Sequence, residues 1–154
     1  MKTRTLLMLA VTMIIFSLSG LRNWQVYTNT THIFDVVHVN DKIYIATWGG
    51  LEVYDLASQA FEKTVTTIDG MSRNDLRTID YYENSGEFLI GSFGSGIDRF
   101  DGSNFNMPLT EILGLATDYV QKIVHQDTLI FAVTTYGFSL FTDDPSFPFP
   151  LLIS

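Results

Sequence analysis

Three aromatic residues, Trp48, Phe93 and Tyr136, each stand immediately before a turn glycine. Three polar residues, Asp35, Arg77 and Gln121, read as one shared position on three β-strands. Aromatics on a loop rim make natural contacts with a sugar face or a peptide, and polar groups on neighbouring strands orient what is bound. These six are the candidate ligand-binding residues, and the partner they imply is a protein or a carbohydrate. The competing reading is that Trp48 and its equivalents cap the hydrophobic core.

Other chemistry is poorly supported. The stretch GSFGSG at 91–96 lacks the G-x-G-x-x-G order, has no following Lys and sits inside a hairpin, so it reads as a turn and not as a phosphate cradle. Asp101-Gly102-Ser103-Asn104 offers oxygens but too few carboxylates at fixed spacing for calcium. His32, His38 and His125 share no position in the repeat described below and have no H-x-x-x-H spacing, so no zinc site is expected. No G-x-S-x-G elbow is present, and no carboxylate pair stands out as acid and base. The expectation is a non-catalytic protein without cofactor or metal.

Composition narrows the partners. Nine Lys and Arg face 17 Asp and Glu, a formal charge of −8, and no basic cluster occurs, so nucleic acid is excluded as a partner. With 154 residues, 46% of them hydrophobic, the chain can build one domain with a core. It has no cysteine, and therefore no disulfide, thiolate metal site, cysteine nucleophile or lipoprotein anchor. Residues 1–20 combine Lys2 and Arg4, the apolar run LLMLAVTMIIFSL and the small residues Ser17, Ser19 and Gly20, the three-part pattern of a signal peptide. Its removal leaves 7 basic against 17 acidic residues, or −10, with no membrane span expected in the exported remainder. Localisation is read as periplasmic or extracellular.

The elements that must position the six candidates are β-hairpins. Residues 43–55, IYIATWGGLEVYD, alternate apolar and polar side chains into a Gly-Gly pair and out again, a hairpin signal. The pattern returns at 88–101, FLIGSFGSGIDRFD, and at 129–142. Each hairpin follows an apolar inner strand, at 33–39, 76–82 and 120–125. Outer strands follow at 61–68 and near Phe105, with a weak one at 147–149. Residues 24–31, WQVYTNTT, read as an isolated outer strand, and 109–115 as a loop or single turn. Three columns are expected to recur: Val37, Ile79 and Ile123; Ala46, Gly91 and Ala132; Tyr54, Phe100 and Phe141. Four-stranded antiparallel units repeating every 40 to 50 residues or so indicate a β-propeller. The repeats run at about 33–71, 75–115 and 119–149 of a domain spanning 21–154.

The unit resembles the repeat of the two-component regulator propeller family. Ile43-Tyr44-Ile45-Ala46-Thr47 with Gly50-Leu51 and Tyr54-Asp55 carries the likeness, as does Leu89-Ile90-Gly91-Ser92 with Gly96-Ile97 and Phe100-Asp101. The third unit departs, with Thr142 where Asp is expected and Thr134-Thr135-Tyr136 in the turn. Trp24-Gln25-Val26-Tyr27 and Asp69-Gly70-Met71-Ser72 also resemble the N-terminal propeller of Bacteroidetes secretion-system accessory proteins. The resemblance implies an exported recognition or scaffolding module, sensory or secretion-associated. Two more specific alternatives are the periplasmic sensor domain of a hybrid two-component system binding glycan fragments and a propeller hydrolase or lyase. Three blades cannot close a ring, since propellers use about 4 to 8. The chain is therefore expected to be an incomplete propeller that belongs to a larger one or associates with itself.

Overall fold

A computed structural model describes residues 28–142. The leader at 1–20, the Trp24–Tyr27 motif and the weak outer strand at 147–149 lie outside the described residues.

The fold is all-β, in three antiparallel sheets. The first contains β1 (Ile33–Val39), β2 (Lys42–Thr47), β3 (Gly50–Asp55) and β4 (Ala60–Val65), in that spatial order. The second contains β5 (Leu76–Tyr82), β6 (Glu87–Ser92), β7 (Ile97–Phe100) and β8 (Phe105–Leu109). The third contains β9 (Val120–Gln126), β10 (Leu129–Thr134) and β11 (Gly137–Thr142). The inner strands neighbour one another, β1 against β5 and β5 against β9, so the sheets fan out as propeller blades. Among the described residues the only helical turns are 3-10 turns at Thr67–Asp69 and Glu111–Leu113, so the 109–115 stretch is indeed one turn. Thr28 to His32 is not strand, unlike the expected continuation of 24–31. The first hairpin turns at Trp48-Gly49, one residue earlier than expected, with Gly50 opening β3.

Blade 2 is sandwiched, and this determines the core. Toward blade 1 it presents Ile79, Phe88, Ile90 and Phe100, which pack with Ala46, Leu51 and Val53. Toward blade 3 it presents Tyr82, Leu89 and Ile97, which pack with Val120, Ile123, Ile130 and Phe141. Every residue of β6 is consequently buried.

Loss of alternation explains two corrections to the columns. β1 and β10 carry apolar residues on both faces, Val36 and Val37 in one and Ala132 and Val133 in the other, so no polar/apolar period fixes their register, and a slip of one residue moves a side chain to the other face. Pairing within the hairpins puts Val36, and not Val37, level with Ile79 and Ile123, because Val36 pairs with Ile45, Ile79 with Ile90 and Ile123 with Ala132. Similarly, Ala46 and Gly91 are level with Val133, and Ala132 with Ile45 and Ile90. The third column, Tyr54, Phe100 and Phe141, holds, as each pairs with Ile43, Phe88 or Ile130.

The blade connectors are built alike. Thr66 caps the first 3-10 turn, with the Asp69 carboxylate accepting from Thr66 N at 2.8 Å. Gly70 ends it at φ 108°, a left-handed conformation open to glycine. The chain then drops Met71 into the core, and Ser72 donates from N and Oγ to the Asp98 carboxylate at 3.0 and 2.5 Å. In the next connector Gly114 repeats the turn at φ 103°, and Ala116 N donates to Ser139 Oγ at 2.8 Å. Burial raises the Asp98 pKa, with the two Ser72 bonds opposing it.

Candidate functional site

Each inner strand carries one extra residue near its start. Ile33 and Asp35 pair with the adjacent Thr47 and Ala46, leaving Phe34 bulged. Leu76 and Thr78 likewise pair with Ser92 and Gly91, leaving Arg77, and Val120 and Lys122 leave Gln121. A β-bulge breaks the ladder locally and re-aims a side chain. Phe34, Arg77 and Gln121 are therefore the equivalent set, and Asp35 instead belongs with Thr78 and Lys122. The expectation that Asp35, Arg77 and Gln121 share one position is corrected accordingly. A spacing of 43 from residue 34 to 77 and 44 from 77 to 121 was the available signal for Phe34.

The bulges and the β2–β3 and β6–β7 turns lie at the same end of the sheets, where they assemble one cluster. The Arg77 guanidinium lies 4.3 Å from the centre of the Phe34 ring, 5.1 Å from Phe93 and 5.6 Å from Trp48. All three are within the reach of cation–π attraction, about 6 Å. Trp48 is held edge-on by His32 at 5.5 Å and Phe34 at 6.3 Å, and Phe93 by Tyr119 at 4.8 Å. Arg77 Nε is buried without a hydrogen-bond partner, and no described carboxylate pairs with this side chain. Trp48 also borders a shallow depression shared with Thr67, Ser72, Arg73, Asn74 and Asp75.

Of the six predicted residues, Trp48, Phe93 and Arg77 come together, with Phe34 added. Gln121 is in blade 3, where its Nε2 donates to Thr135 Oγ1 at 3.1 Å. Tyr136 is the second residue of its turn, not the first, and stands 82% exposed.

Asp35 serves a different purpose. Its Oδ2 accepts from Thr78 Oγ1 at 2.7 Å, Ile79 N at 3.1 Å and Lys122 Nζ at 2.7 Å, while Thr78 Oγ1 in turn accepts from Ile123 N at 3.2 Å. An inner strand leaves one row of backbone N–H groups without a neighbouring strand. Here each such group at the level of Ile79 and Ile123 is satisfied by the side chain of the preceding blade. Burial opposes ionisation of Asp35, and the bonds from Lys122, Thr78 and Ile79 outweigh it, so its pKa is lowered. A second link joins Asp80 Oδ2 and His125 Nδ1 at 2.8 Å between blades 2 and 3. No group of three or more potential metal ligands occurs among the described residues.

Comparison with solved structures follows this geometry. The chain superposes on the extracellular domain of the hybrid two component system BT3049 from B. thetaiotaomicron with a TM-score of 0.69 and 20% identity. The match covers 88% of this chain and 19% of that one. The extracellular domain of the one component system BT4673 from the same organism gives 0.60 and 15%, over 79% of this chain and 20% of that one. The fold is shared with bacterial extracellular domains. The chain spans about one fifth of the length of these structures. No protein-family model and no curated protein matches it. No helix among the described residues is long and apolar enough to cross a membrane.

Proposed function

We propose that this chain is an exported, non-catalytic recognition module of sensory type, and that it takes an acidic glycan fragment at the Arg77 cluster. One observation carries the reading: a guanidinium framed by Phe34, Trp48 and Phe93 that has no carboxylate partner among the described residues. Aromatic rings offer faces on which a sugar ring stacks, and an unpaired Arg presents a planar fork that fits a carboxylate. In a chain of formal charge −8, such a cation is a local exception that selects for an anion. The shared fold with extracellular domains of bacterial regulatory systems supports export and sensing.

Isothermal titration with a uronic-acid oligosaccharide and its neutral counterpart tests this. The acidic ligand should bind at least about tenfold more tightly, equivalent to about 1.4 kcal/mol. Arg77→Gln should abolish the difference, and Trp48→Ala should weaken both ligands. Equal binding of the two sugars, or a preference that survives Arg77→Gln, refutes the assignment. Docking in a secretion assembly would instead appear as retention of a protein and indifference to both sugars.

A further inference from the structure

The segments that lead into the inner strands repeat closely enough to separate what the fold requires from what it does not. One backbone bond recurs in all three: Trp48 N, Phe93 N and Thr135 N donate to the carbonyls of His32, Asp75 and Tyr119 at 3.2, 3.2 and 3.0 Å. A side-chain acceptor recurs in two, with Thr67 N donating to Asn74 Oδ1 at 2.9 Å and Glu111 N to Asp118 Oδ1 at 2.7 Å. Thr30-Thr31-His32, Arg73-Asn74-Asp75 and Thr117-Asp118-Tyr119 are therefore equivalent. Both other segments form with Thr at the position of Arg73, and neither has a carboxylate at the position of Asp75. The Arg73–Asp75 ion pair is thus surplus to this backbone. It is also at the surface: Arg73 Nε and Nη2 donate to the Asp75 carboxylate at 2.7 and 3.1 Å, and the Arg73 side chain is 47% exposed. A surface pair adds little to stability, so stability does not account for it.

We propose that Arg73, Asn74 and Asp75 form a second subsite beside Arg77 and that it takes a neutral sugar, which makes the ligand a mixed glycan with a uronic acid next to a neutral unit; this rests on the reading of the Arg77 cluster above. The two subsites are contiguous. Trp48 stands 5.6 Å from the Arg77 guanidinium and also borders the depression of about 410 Å³ that Arg73, Asn74 and Asp75 line. Small-molecule sites run from about 300 to 1,000 Å³, so a sugar unit has room there. Trp48 is 51% exposed, which leaves ring surface for stacking. Polar edges meet it: Arg73 keeps Nη1 beyond its pair, and the fold uses only Oδ1 of Asn74, whose Nδ2 has no partner among the described residues. Asp75 has lone pairs left to accept from a hydroxyl. Planar groups with adjacent donors and acceptors match the neighbouring hydroxyls of a sugar ring. Charge decides the kind of unit. Asp75 offsets Arg73 at contact distance, so a second carboxylate gains no net attraction in the depression, whereas a neutral ring can make every bond. The segment is fixed beforehand by Ser72 on Asp98 and Phe93 N on the Asp75 carbonyl, which lowers the ordering cost of binding.

Calorimetric titration tests this with glucuronic and galacturonic acid, each free, linked to a second uronic acid, and linked to a neutral hexose. The mixed disaccharide should bind at least about tenfold more tightly than the free acid, and the all-acid disaccharide should show no such gain. Arg73→Thr combined with Asp75→Asn leaves the net charge unchanged and places at 73 the residue found in both equivalent segments. This double variant should keep its far-ultraviolet dichroism and its affinity for the free acid but lose the gain from the neutral unit. Arg77→Gln should instead weaken the free acid and both disaccharides. A mixed disaccharide that binds no better than the free acid or the all-acid disaccharide, or a gain that survives the double variant, overturns the second subsite and leaves the Arg77 assignment standing. A neutral disaccharide that binds as tightly as the mixed one, or no binding by any of these sugars, overturns both.

Discussion

Replacing Asp35 by Ala removes the acceptor that joins all three blades. The Ile79 N–H, on a residue only 3% exposed, loses its only partner outside its own sheet, and the fully buried Thr78 hydroxyl loses its acceptor. A buried donor left unsatisfied costs about 1–3 kcal/mol. Two such groups, one of which keeps a bond from Ile123 N, give a loss of about 2–4 kcal/mol for Asp35→Ala. With a urea slope of about 2 kcal/mol/M, the unfolding midpoint should fall by about 1–2 M. Lys122→Met is the internal control. It removes the third bond, but Lys122 is half exposed, and an exposed ion pair contributes about 1 kcal/mol or less. The assay is urea unfolding followed by tryptophan fluorescence at one fixed protein concentration, because association shifts apparent stability. The sign with pH follows from the lowered pKa: the stabilisation is present above the ordinary value of 3.8 and is lost as pH falls through the folded value. Asp35→Asn should therefore flatten the acid limb of the stability curve. A midpoint shift for Asp35→Ala no larger than that for Lys122→Met would refute the relay as the element that ties the inner strands together.

Two further outcomes concern the packing. A Cβ at Gly91 would lie 2.6 Å from Thr78 Cγ2 and 2.7 Å from Val120 Cγ1, so Gly91→Ala should destabilise by about 1–3 kcal/mol through overpacking, measured as a fall in Tm. No change in Tm would mean that blades 2 and 3 are less closely packed than described. Asp98, whose pKa burial raises, contributes stability that is complete below 3.8 and is lost as pH rises through the folded value. Relative to Asp98→Asn, the wild-type chain should therefore lose stability on going from acid to neutral pH, and parallel curves for the two proteins would contradict the burial of that carboxyl.

The strand pattern was legible in the sequence because each hairpin is a local event. β1 and β5 occupy the predicted spans 33–39 and 76–82, and the third hairpin, β10 with β11, runs over 129–142 as expected. Alternation and turn glycines act over a few residues, so they can be read in chain order. The same holds for Trp48 and Phe93, since an aromatic before a turn glycine is visible without knowing what surrounds it.

What the tertiary structure decided was the register between blades and the surroundings of each side chain. Val36 and Val37 are chemically identical neighbours, and only the pairing of Val36 with Ile45 shows which one faces the solvent side of blade 1. Bulges at Phe34, Arg77 and Gln121 leave no mark on composition, yet they set these three apart from Asp35, Thr78 and Lys122, which join the inner strands. Contacts such as Arg77 over Phe34, 43 residues apart, and Lys122 with Asp35, 87 apart, depend on how whole sheets stack. Hairpin formation is governed by neighbours along the chain, whereas the site is made by side chains that meet only after blade packs on blade.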